Sequence, residues 1–157
     1  MPRGFPTSEA EETRFDVAVV GAGASGLLAA SRAAERGRAT VLLEKNARPG
    51  AKLLISGGGR CNLTHACDER GIAAAFGAAG RFLRSPLAAF GPTALIDWLR
   101  EEGVTTYVEP GGKIFPATDR AADVLDALLA RLKRSGAQLA ANEPVEDIRR
   151  LPEGFQI

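Results

Sequence analysis

The first pattern along the chain is an alternation of short apolar runs with an Ala- and Leu-rich segment. Residues 15–20 read FDVAVV, a Val-rich run typical of a buried parallel strand. Residues 27–36 predict a helix that ends at Gly37, and residues 39–43, ATVLL, predict a second buried strand that ends on Glu44. Strand, helix and strand together predict one βαβ unit, and hence an α/β fold with a parallel sheet.

The rest of the chain also predicts a mixture of helices and strands. Residues 119–135 give the clearest helix, because their apolar positions recur at spacings of three and four before Gly136. Residues 45–67 predict a long loop, and a loop of this length inside a domain is usually functional. The other predicted elements are a broken helix over 71–90, a helix over 92–102, a hairpin of 104–108 with 113–115, and strands over 137–141, 145–149 and 154–157.

Composition is that of an ordinary globular protein. Of its 157 residues, 45% are apolar and 25% are charged, with a net charge of +1. No stretch approaches the roughly 18 apolar residues of a membrane span, and the charge balance gives no whole-chain reason to expect nucleic acid as a partner. Two cysteines without a secretory signal indicate a cytoplasmic protein. Residues 1–14 are polar and predict a disordered tail before a domain over 15–157.

A glycine-rich turn joins the first predicted strand to the first helix. Residues 21–26 read GAGASG, which fits the pattern G-x-G-x-x-G. Gly21 permits a tight turn, Gly23 lets the backbone approach a pyrophosphate, and Gly26 lets helix and strand pack closely. The N-terminus of the helix then offers free N–H groups to phosphates, and Ser25 adds a hydroxyl. The sequence therefore predicts a dinucleotide-binding turn.

An acidic residue follows at the end of the second predicted strand. Glu44 lies 18 residues past Gly26, where a carboxylate can accept hydrogen bonds from ribose hydroxyls. Its negative charge disfavours the additional phosphate of NADP at this site. The turn and Glu44 do not by themselves distinguish NAD from FAD.

A second glycine cluster, at 57–59, lies in the predicted loop. In extended form, three glycines remove side chains from about 10 Å of backbone, which can then lie against a flat ring and offer N–H groups to its heteroatoms. Lys52 and Arg60 flank the glycines with positive charge suited to phosphate or to a reduced, anionic flavin. Asn62 and Thr64 add neutral hydrogen-bonding groups. We therefore expect this segment to face a flavin rather than to serve as a linker.

These segments together resemble a known family. The runs GAGASG, LLEK and PGAKLLISGGGRCNLTH are similar to the N-terminal region of bacterial NAD(P)/FAD-dependent oxidoreductases, also described as the aminoacetone-oxidase family of FAD-binding flavoproteins. The resemblance continues through GGKIFPATDRAADVLDALLARLKRSGAQL and covers residues 15–157. It implies a Rossmann-like FAD-binding domain of the two-dinucleotide-binding-domain flavoprotein type.

The resemblance also implies which residues hold the cofactor. The first glycine turn would hold the FAD pyrophosphate, Glu44 with Lys45 the adenosine ribose, and the second glycine segment the phosphates, ribityl chain and isoalloxazine. The implied FAD-binding residues are Gly21, Ala22, Gly23, Ser25, Gly26, Glu44, Lys45, Lys52, Ser56, Gly57, Gly58, Gly59, Arg60, Cys61 and Asn62. NAD(P)H is a candidate co-substrate.

Other reactive side chains favour structural roles. Cys61 and Cys67 are spaced C-x5-C, unlike a thioredoxin-type dithiol, and we expect Cys61 to be a small packed residue near the flavin. His65 is the only histidine, and a surface or structural role is favoured for it. Two cysteines and one histidine are too few to predict a metal site. No catalytic acid or base is identified.

The resemblance further implies that the FAD domain is incomplete in these 157 residues. In such flavoproteins the domain is discontinuous, and the strand at 16–20 would lack a neighbour on its second edge, an aggregation hazard. The leading hypothesis is FAD-dependent hydride transfer to or from a small organic substrate. The alternatives are a truncated or split fragment that binds FAD weakly and needs a complementary chain, an NAD-dependent dehydrogenase, and an RNA-modifying flavoenzyme.

Overall fold

The computed structural model describes residues 13–157. Most of the disordered tail predicted at 1–14 therefore lies outside the described residues. The strands are β1 (Val17–Val20), β2 (Thr40–Glu44), β3 (Thr64–His65), β4 (Thr106–Val108), β5 (Lys113–Pro116), β6 (Gln138–Ala141), β7 (Arg149–Leu151) and β8 (Gly154–Gln156). The α-helices are α1 (Ala24–Glu35), α2 (Ala51–Ile55), α3 (Glu69–Ala75), α4 (Gly80–Ala89), α5 (Pro92–Glu101) and α6 (Ala121–Ser135), with a glycine turn at Ser56–Gly59 and a 3-10 turn at Gly77–Ala79.

The principal sheet is parallel, with strand order β1-β2-β6. Val17 pairs with Thr40, and Val41 pairs with Gln138, so β2 is the central strand. The α/β fold with a parallel sheet, predicted from the apolar runs, is confirmed. Within residues 13–157, β1 pairs with β2 alone, and Val20 is 53% exposed.

The core lies on one face of this sheet. Helices α1 and α6 pack against each other and hold Leu27, Leu42 and Leu128 fully or almost fully buried. The apolar spacing over 119–135 thus faces the core as predicted, and α6 ends at Gly136, whose left-handed conformation (φ 81°) terminates the helix. None of the helices described here combines the length and apolarity that a membrane crossing requires.

The prediction of a loop over 45–67 is wrong, because this segment holds regular structure. Residues 51–55 form α2, whose Leu53 is buried in the core and which packs against α6. At Gly50 the approach is so close that a Cβ atom would lie 2.5 Å from Leu125 Cδ1. The helix escaped prediction because it is too short to show a helical apolar period.

The predicted hairpin is present and carries a third strand. β4 and β5 pair antiparallel, with Tyr107 opposite Phe115, and β3 adds to the free edge of β5. The broken helix predicted over 71–90 is confirmed as α3, a 3-10 turn and α4, and the helix over 92–102 is confirmed as α5.

The prediction of a strand over 145–149 is wrong. Asp147 accepts hydrogen bonds from the backbone N–H of Ile148 and from the Arg149 side chain, and such local bonds compete with strand pairing. Pairing begins only at Arg149, where β7 forms a hairpin with β8. The final predicted strand, over 154–157, is confirmed as β8.

A cluster of ion pairs ties three helices together. Glu102, at the C-terminal end of α5, has a side chain only 6% exposed and accepts hydrogen bonds from Arg131 (3.0 Å) and Arg134 (2.5 Å) of α6. Arg131 also donates to Glu35 of α1 at 3.0 Å, and its guanidinium lies 5.6 Å from the ring centre of Trp98. A carboxylate buried to this degree needs its partners to offset the loss of hydration.

Candidate functional site

The first glycine turn brings the backbone of β1, α1 and β2 together. Gly21 adopts a positive φ of 94°, and its N–H donates to Leu43 O at 2.7 Å. A Cβ atom at Gly26 would overlap the carbonyl oxygen of Gly21. The first turn of α1 thus rests directly on the glycine turn, as the G-x-G-x-x-G spacing predicts.

The N-terminus of α1 faces open space. Gly23 is the N-cap, with no side chain that caps the helix and no acidic residue in the first turn. A Cβ atom built at Gly23 would meet nothing within 4 Å among the described residues, and Ser25 is exposed beside it. The first N–H groups of a helix have no intrahelical partner, so this surface is suited to an anion.

Glu44 is buried at the end of β2, where its carboxylate already has protein partners. Its Oε2 accepts from the N–H of Ala22 at 2.7 Å, and its Oε1 accepts from the backbone N–H (2.9 Å) and the side chain (2.7 Å) of Asn46. The backbone N–H groups of Asn46 and Ala22 lower the pKa of Glu44 below its ordinary value. The carboxylate therefore stays ionised and holds the glycine turn against β2.

Two residues of this site were missed in the sequence. Asn46 orients the carboxylate of Glu44, and Gly50 donates its N–H to Ala22 O at 2.8 Å, which ties the glycine turn to the start of α2. The Pro-Gly pair at 49–50 is a turn signal that could have drawn attention to Gly50. Asn46 lies only two residues past Glu44, but asparagine is common in any turn after a strand, so its type alone does not mark this bond.

A cavity of about 450 Å³ lies between Leu43 of β2 and the chain that follows β6. It extends from Leu43 at the end of β2 to the segment that follows β6, where the N–H of Glu143 donates to Glu44 O at 2.9 Å. Its charged lining residues are Glu143, Glu146, Asp147 and Arg149. The lining is therefore acid-rich, and neither Glu44 nor the glycine turn 21–26 contributes to it.

The second glycine segment is compact rather than extended, which corrects the expectation of a long flat strip. Gly57, Gly58 and Gly59 adopt consecutive left-handed conformations, with φ of 56°, 69° and 86°. Only glycine adopts this region repeatedly without strain, so three glycines allow a sharp reversal that other residues would resist. The turn is closed by the N–H of Cys61, which donates to Ser56 O at 3.0 Å.

The side chains around this second turn divide into two groups. Lys45, Lys52 and Asn62 are exposed, whereas Cys61 is buried, and burial raises the pKa of its thiol. The guanidinium of Arg60 turns back onto the β4–β5 hairpin. The cofactor contacts predicted for these residues stay predictions.

His65, the other reactive side chain considered in the sequence, packs against the β4–β5 turn rather than against the glycine turns at 21–26 and 56–59. His65 Nε2 is 2.8 Å from Gly111 O, and a Cβ atom at Gly112 would overlap the imidazole ring. The ring thus sits against the β4–β5 turn, in agreement with the expected structural role. The part of the chain that the structure describes contains no group of three His, Cys, Asp or Glu side chains placed to hold a metal ion.

The arrangement matches a known family of domains. Residues 15–157 match the model described as the HI0933-like protein Rossmann domain. The chain belongs to this family. Its members are FAD-dependent oxidoreductases, which agrees with the resemblance seen in the glycine segments and with the Rossmann-like fold.

Two curated relatives match nearly all of this chain but are much longer. The ribosomal RNA dihydrouridine synthase of Escherichia coli K12 is 31% identical over 144 residues, which are 92% of this chain and 35% of the relative. The 3-dehydro-bile acid delta(4,6)-reductase of Clostridium scindens is 34% identical over 143 residues, which are 90% of this chain and 34% of the relative. The chain therefore spans about a third of the length of the curated relatives it matches.

Solved structures agree on the fold. The 3-ketosteroid-delta4-(5alpha)-dehydrogenase of Rhodococcus jostii RHA1 superposes with a TM-score of 0.62 at 16% identity, over 90% of this chain and 40% of that one. THI4 of Thermovibrio ammonificans gives a TM-score of 0.58 at 17% identity, over 90% of this chain and 45% of that one. At these identities the likeness concerns the fold alone.

Proposed function

We propose that residues 15–157 hold FAD in a flavoprotein oxidoreductase, with the glycine turn 21–26 at the pyrophosphate. The observation that carries the proposal is the uncapped N-terminus of α1, where Gly23 leaves open space before free N–H groups. Two negative phosphates there would meet these N–H groups and the positive end of the helix dipole. Ala22 shapes the turn through its bonds to Glu44 and Gly50, and Ser25 adds an exposed hydroxyl.

Glu44 and Lys45 are proposed to flank the adenosine ribose. Oε1 of Glu44 accepts two bonds from Asn46, whereas Oε2 accepts one bond from Ala22 and keeps capacity for a ribose hydroxyl. The negative charge of Glu44 itself would repel a 2′-phosphate on the ribose and so favours an adenosine without one. This charge preference supports FAD over NADP at this turn.

The second glycine segment is proposed to lie at the flavin end of the cofactor. The residues proposed there are Lys52, Ser56, Gly57, Gly58, Gly59, Arg60, Cys61 and Asn62. A turn built of three glycines presents backbone without side chains, so a flat ring can approach it. When bound, the isoalloxazine supplies hydride transfer, whereas the chain supplies binding, orientation and electrostatics.

The substrate is proposed only as a small organic molecule, with NAD(P)H as the other hydride partner. The names of the two curated relatives refer to chemically unlike substrates, ribosomal RNA and a bile acid. Neither substrate is transferred to this chain, and the expected absence of a nucleic-acid partner stays a prediction. We propose that turnover needs further chain, either a continuation or a complementary polypeptide. Support comes from the length of the relatives and from the exposed Val20 on β1, which pairs with β2 alone among the described residues.

The decisive experiment is binding of FAD by the purified chain. We expect the 157-residue protein, titrated with FAD, to quench flavin fluorescence with a saturable isotherm, and to bind FAD more tightly than NADH or NADPH. Tight NADH binding without FAD binding would revive the single-Rossmann dehydrogenase. A chain that binds neither dinucleotide, although circular dichroism shows it folded, would refute the proposal.

Replacing Glu44 with Gln is expected to weaken FAD binding and to lower the free energy of unfolding by about 1–3 kcal/mol, the cost of an unsatisfied buried donor. The amide NH2 group would face the N–H of Ala22 or the donors of Asn46 in place of an acceptor. Denaturant unfolding and FAD titration measure the two effects. The matched control is Glu143→Gln, an exposed carboxylate whose backbone N–H bonds to the carbonyl oxygen of Glu44. Equal effects of both variants would contradict the role of Glu44.

The pH dependence of the Glu44 contribution follows from its lowered pKa. A carboxylate whose pKa is lower in the folded state stabilises the fold above the unfolded pKa of about 4.3. This stability is lost as the pH falls through the folded pKa. The difference in unfolding free energy between wild type and Glu44→Gln is therefore expected to shrink as the pH falls below about 4.3.

A further inference from the structure

Arg60 sits in a cluster formed by residues far away in the sequence. Its Nη1 lies 2.9 Å from Glu109 Oε1, 3.4 Å from the Tyr107 hydroxyl and 3.8 Å from Asp119 Oδ1. The Tyr107 hydroxyl in turn donates to Asp119 Oδ1 at 2.8 Å. One guanidinium thus faces two carboxylates, at 2.9 and 3.8 Å, and a third anion would have to compete with both.

The same guanidinium is stacked on an aromatic ring. Arg60 Cζ lies 4.0 Å from the centre of the Phe115 ring, and Phe115 is only 1% exposed. A planar guanidinium suits this position, because it stacks on the ring with its face and reaches the carboxylates with its edge. A lysine ammonium would keep the charge but lose the stacking.

The second glycine turn rests on that ring too. A Cβ atom at Gly57 would lie 3.0 Å from Phe115 Cε1 and 2.8 Å from the backbone nitrogen of Asn62. Arg60 directly follows the turn, and its guanidinium lies over the face of the same ring. The glycine turn and the guanidinium of Arg60 therefore both pack against the same buried ring, that of Phe115 in the β4–β5 hairpin.

We propose that Arg60 is a positioning residue, which docks the Ser56–Gly59 turn onto the β4–β5 hairpin through Glu109 and Phe115 and so sets the cofactor-facing backbone. Its guanidinium neutralises the carboxylates of Glu109 and Asp119 and does not contact a cofactor phosphate. The inference rests on the proposed FAD site and specifies how one of its residues acts. The hydrogen bond with Glu109 also raises the pKa of Arg60, so the guanidinium is charged at every pH of interest.

The first test is Glu109→Gln. A positioning role and direct phosphate binding by Arg60 predict opposite changes in the FAD affinity of this variant. If Arg60 positions the turn, loss of the Glu109 charge weakens FAD binding, by about tenfold, and Arg60→Ala weakens it at least as much. The double variant is then no worse than Arg60→Ala alone, since both changes break one contact. If Arg60 instead binds a phosphate directly, Glu109→Gln frees the guanidinium and leaves FAD binding unchanged or tighter, which overturns the proposal.

Two further variants separate stacking and general charge effects. Arg60→Lys keeps the charge and is expected to recover less than half of the binding free energy lost in Arg60→Ala. A lysine ammonium cannot stack on the Phe115 ring and bond to the Glu109 carboxylate at the same time. Full recovery by lysine overturns the docking role. Glu101→Gln removes an exposed carboxylate of α5 and is expected to leave FAD binding unchanged. A tenfold loss in this control would overturn the assignment to Glu109.

Amide hydrogen exchange without FAD gives an independent readout. Arg60→Ala and Glu109→Gln are each expected to speed exchange at residues 56–61 at least fivefold, with unchanged exchange in the α1–α6 core. Unchanged exchange at 56–61 overturns docking even if FAD binding falls. If the wild-type chain binds no FAD, the proposed function fails, and faster exchange in the variants still supports the docking contact by itself.

Discussion

Gly26→Ala is expected to abolish measurable FAD binding and to destabilise the fold by about 3 kcal/mol, the upper end of the usual cost of overpacking. A Cβ atom at this position would overlap the carbonyl oxygen of Gly21, which is backbone and cannot rotate away as a side chain can. To relieve the clash, α1 would have to move off the glycine turn. The phosphate-facing N–H groups would move with it. Chemical denaturation and FAD titration measure the two losses.

Gly23→Ala is the matched control for this experiment. A Cβ atom at Gly23 meets nothing within 4 Å among the described residues, and its φ of −78° is accessible to alanine. We therefore expect native stability, within about 0.5 kcal/mol as at other surface positions. FAD binding is nevertheless expected to fall, because the methyl group would occupy the space proposed for the pyrophosphate. Native stability and FAD affinity in Gly26→Ala would contradict the close approach seen in the structure.

Glu102→Ala is expected to lower the free energy of unfolding by about 2–3 kcal/mol. It is not expected to weaken FAD binding at the glycine turn 21–26 directly. Removal of one partner of a buried pair costs about 3–5 kcal/mol, and the 60% exposure of Arg134 reduces this figure. Arg131 would stay charged beneath α5, with only Glu35 as a carboxylate partner among its described contacts. Thermal and urea unfolding measure the loss, and Glu101→Ala, on the exposed side of the same helix, is the control.

The acid sensitivity of the fold provides a second check on Glu102. Burial alone would raise the pKa of its carboxyl, but hydrogen bonds from Arg134 and Arg131 outweigh burial and lower it. The pair therefore stabilises the protein above the unfolded pKa of about 4.3, and that stability is lost as pH falls through the folded pKa. We expect Glu102→Ala to lose less stability than wild type on acidification below about 4.3. If wild type and Glu102→Ala lost the same amount of stability on acidification, the ion pairing of Glu102 would be contradicted.

The two glycine segments show where sequence reasoning succeeded and where it did not. At 21–26 the pattern predicted the turn, the close approach of Gly26 and the exposed start of α1, since strand and helix on either side leave little choice of backbone path. At 57–59 the same reasoning predicted an extended strip, but the glycines are left-handed. Glycine is compatible with both conformations, so its presence alone cannot choose between them.

The sequence by itself determined the βαβ unit, the amphipathic α6 and the position of the dinucleotide turn, because apolar periodicity and glycine sterics act over short stretches of chain. Only the tertiary structure decided which groups those elements meet. Glu44 bonds to Ala22 across 22 positions, and Arg60 bonds to Glu109 across 49. A charged side chain pairs with whatever the packed elements bring within hydrogen-bond distance, and that distance is set by the whole fold rather than by neighbouring residues.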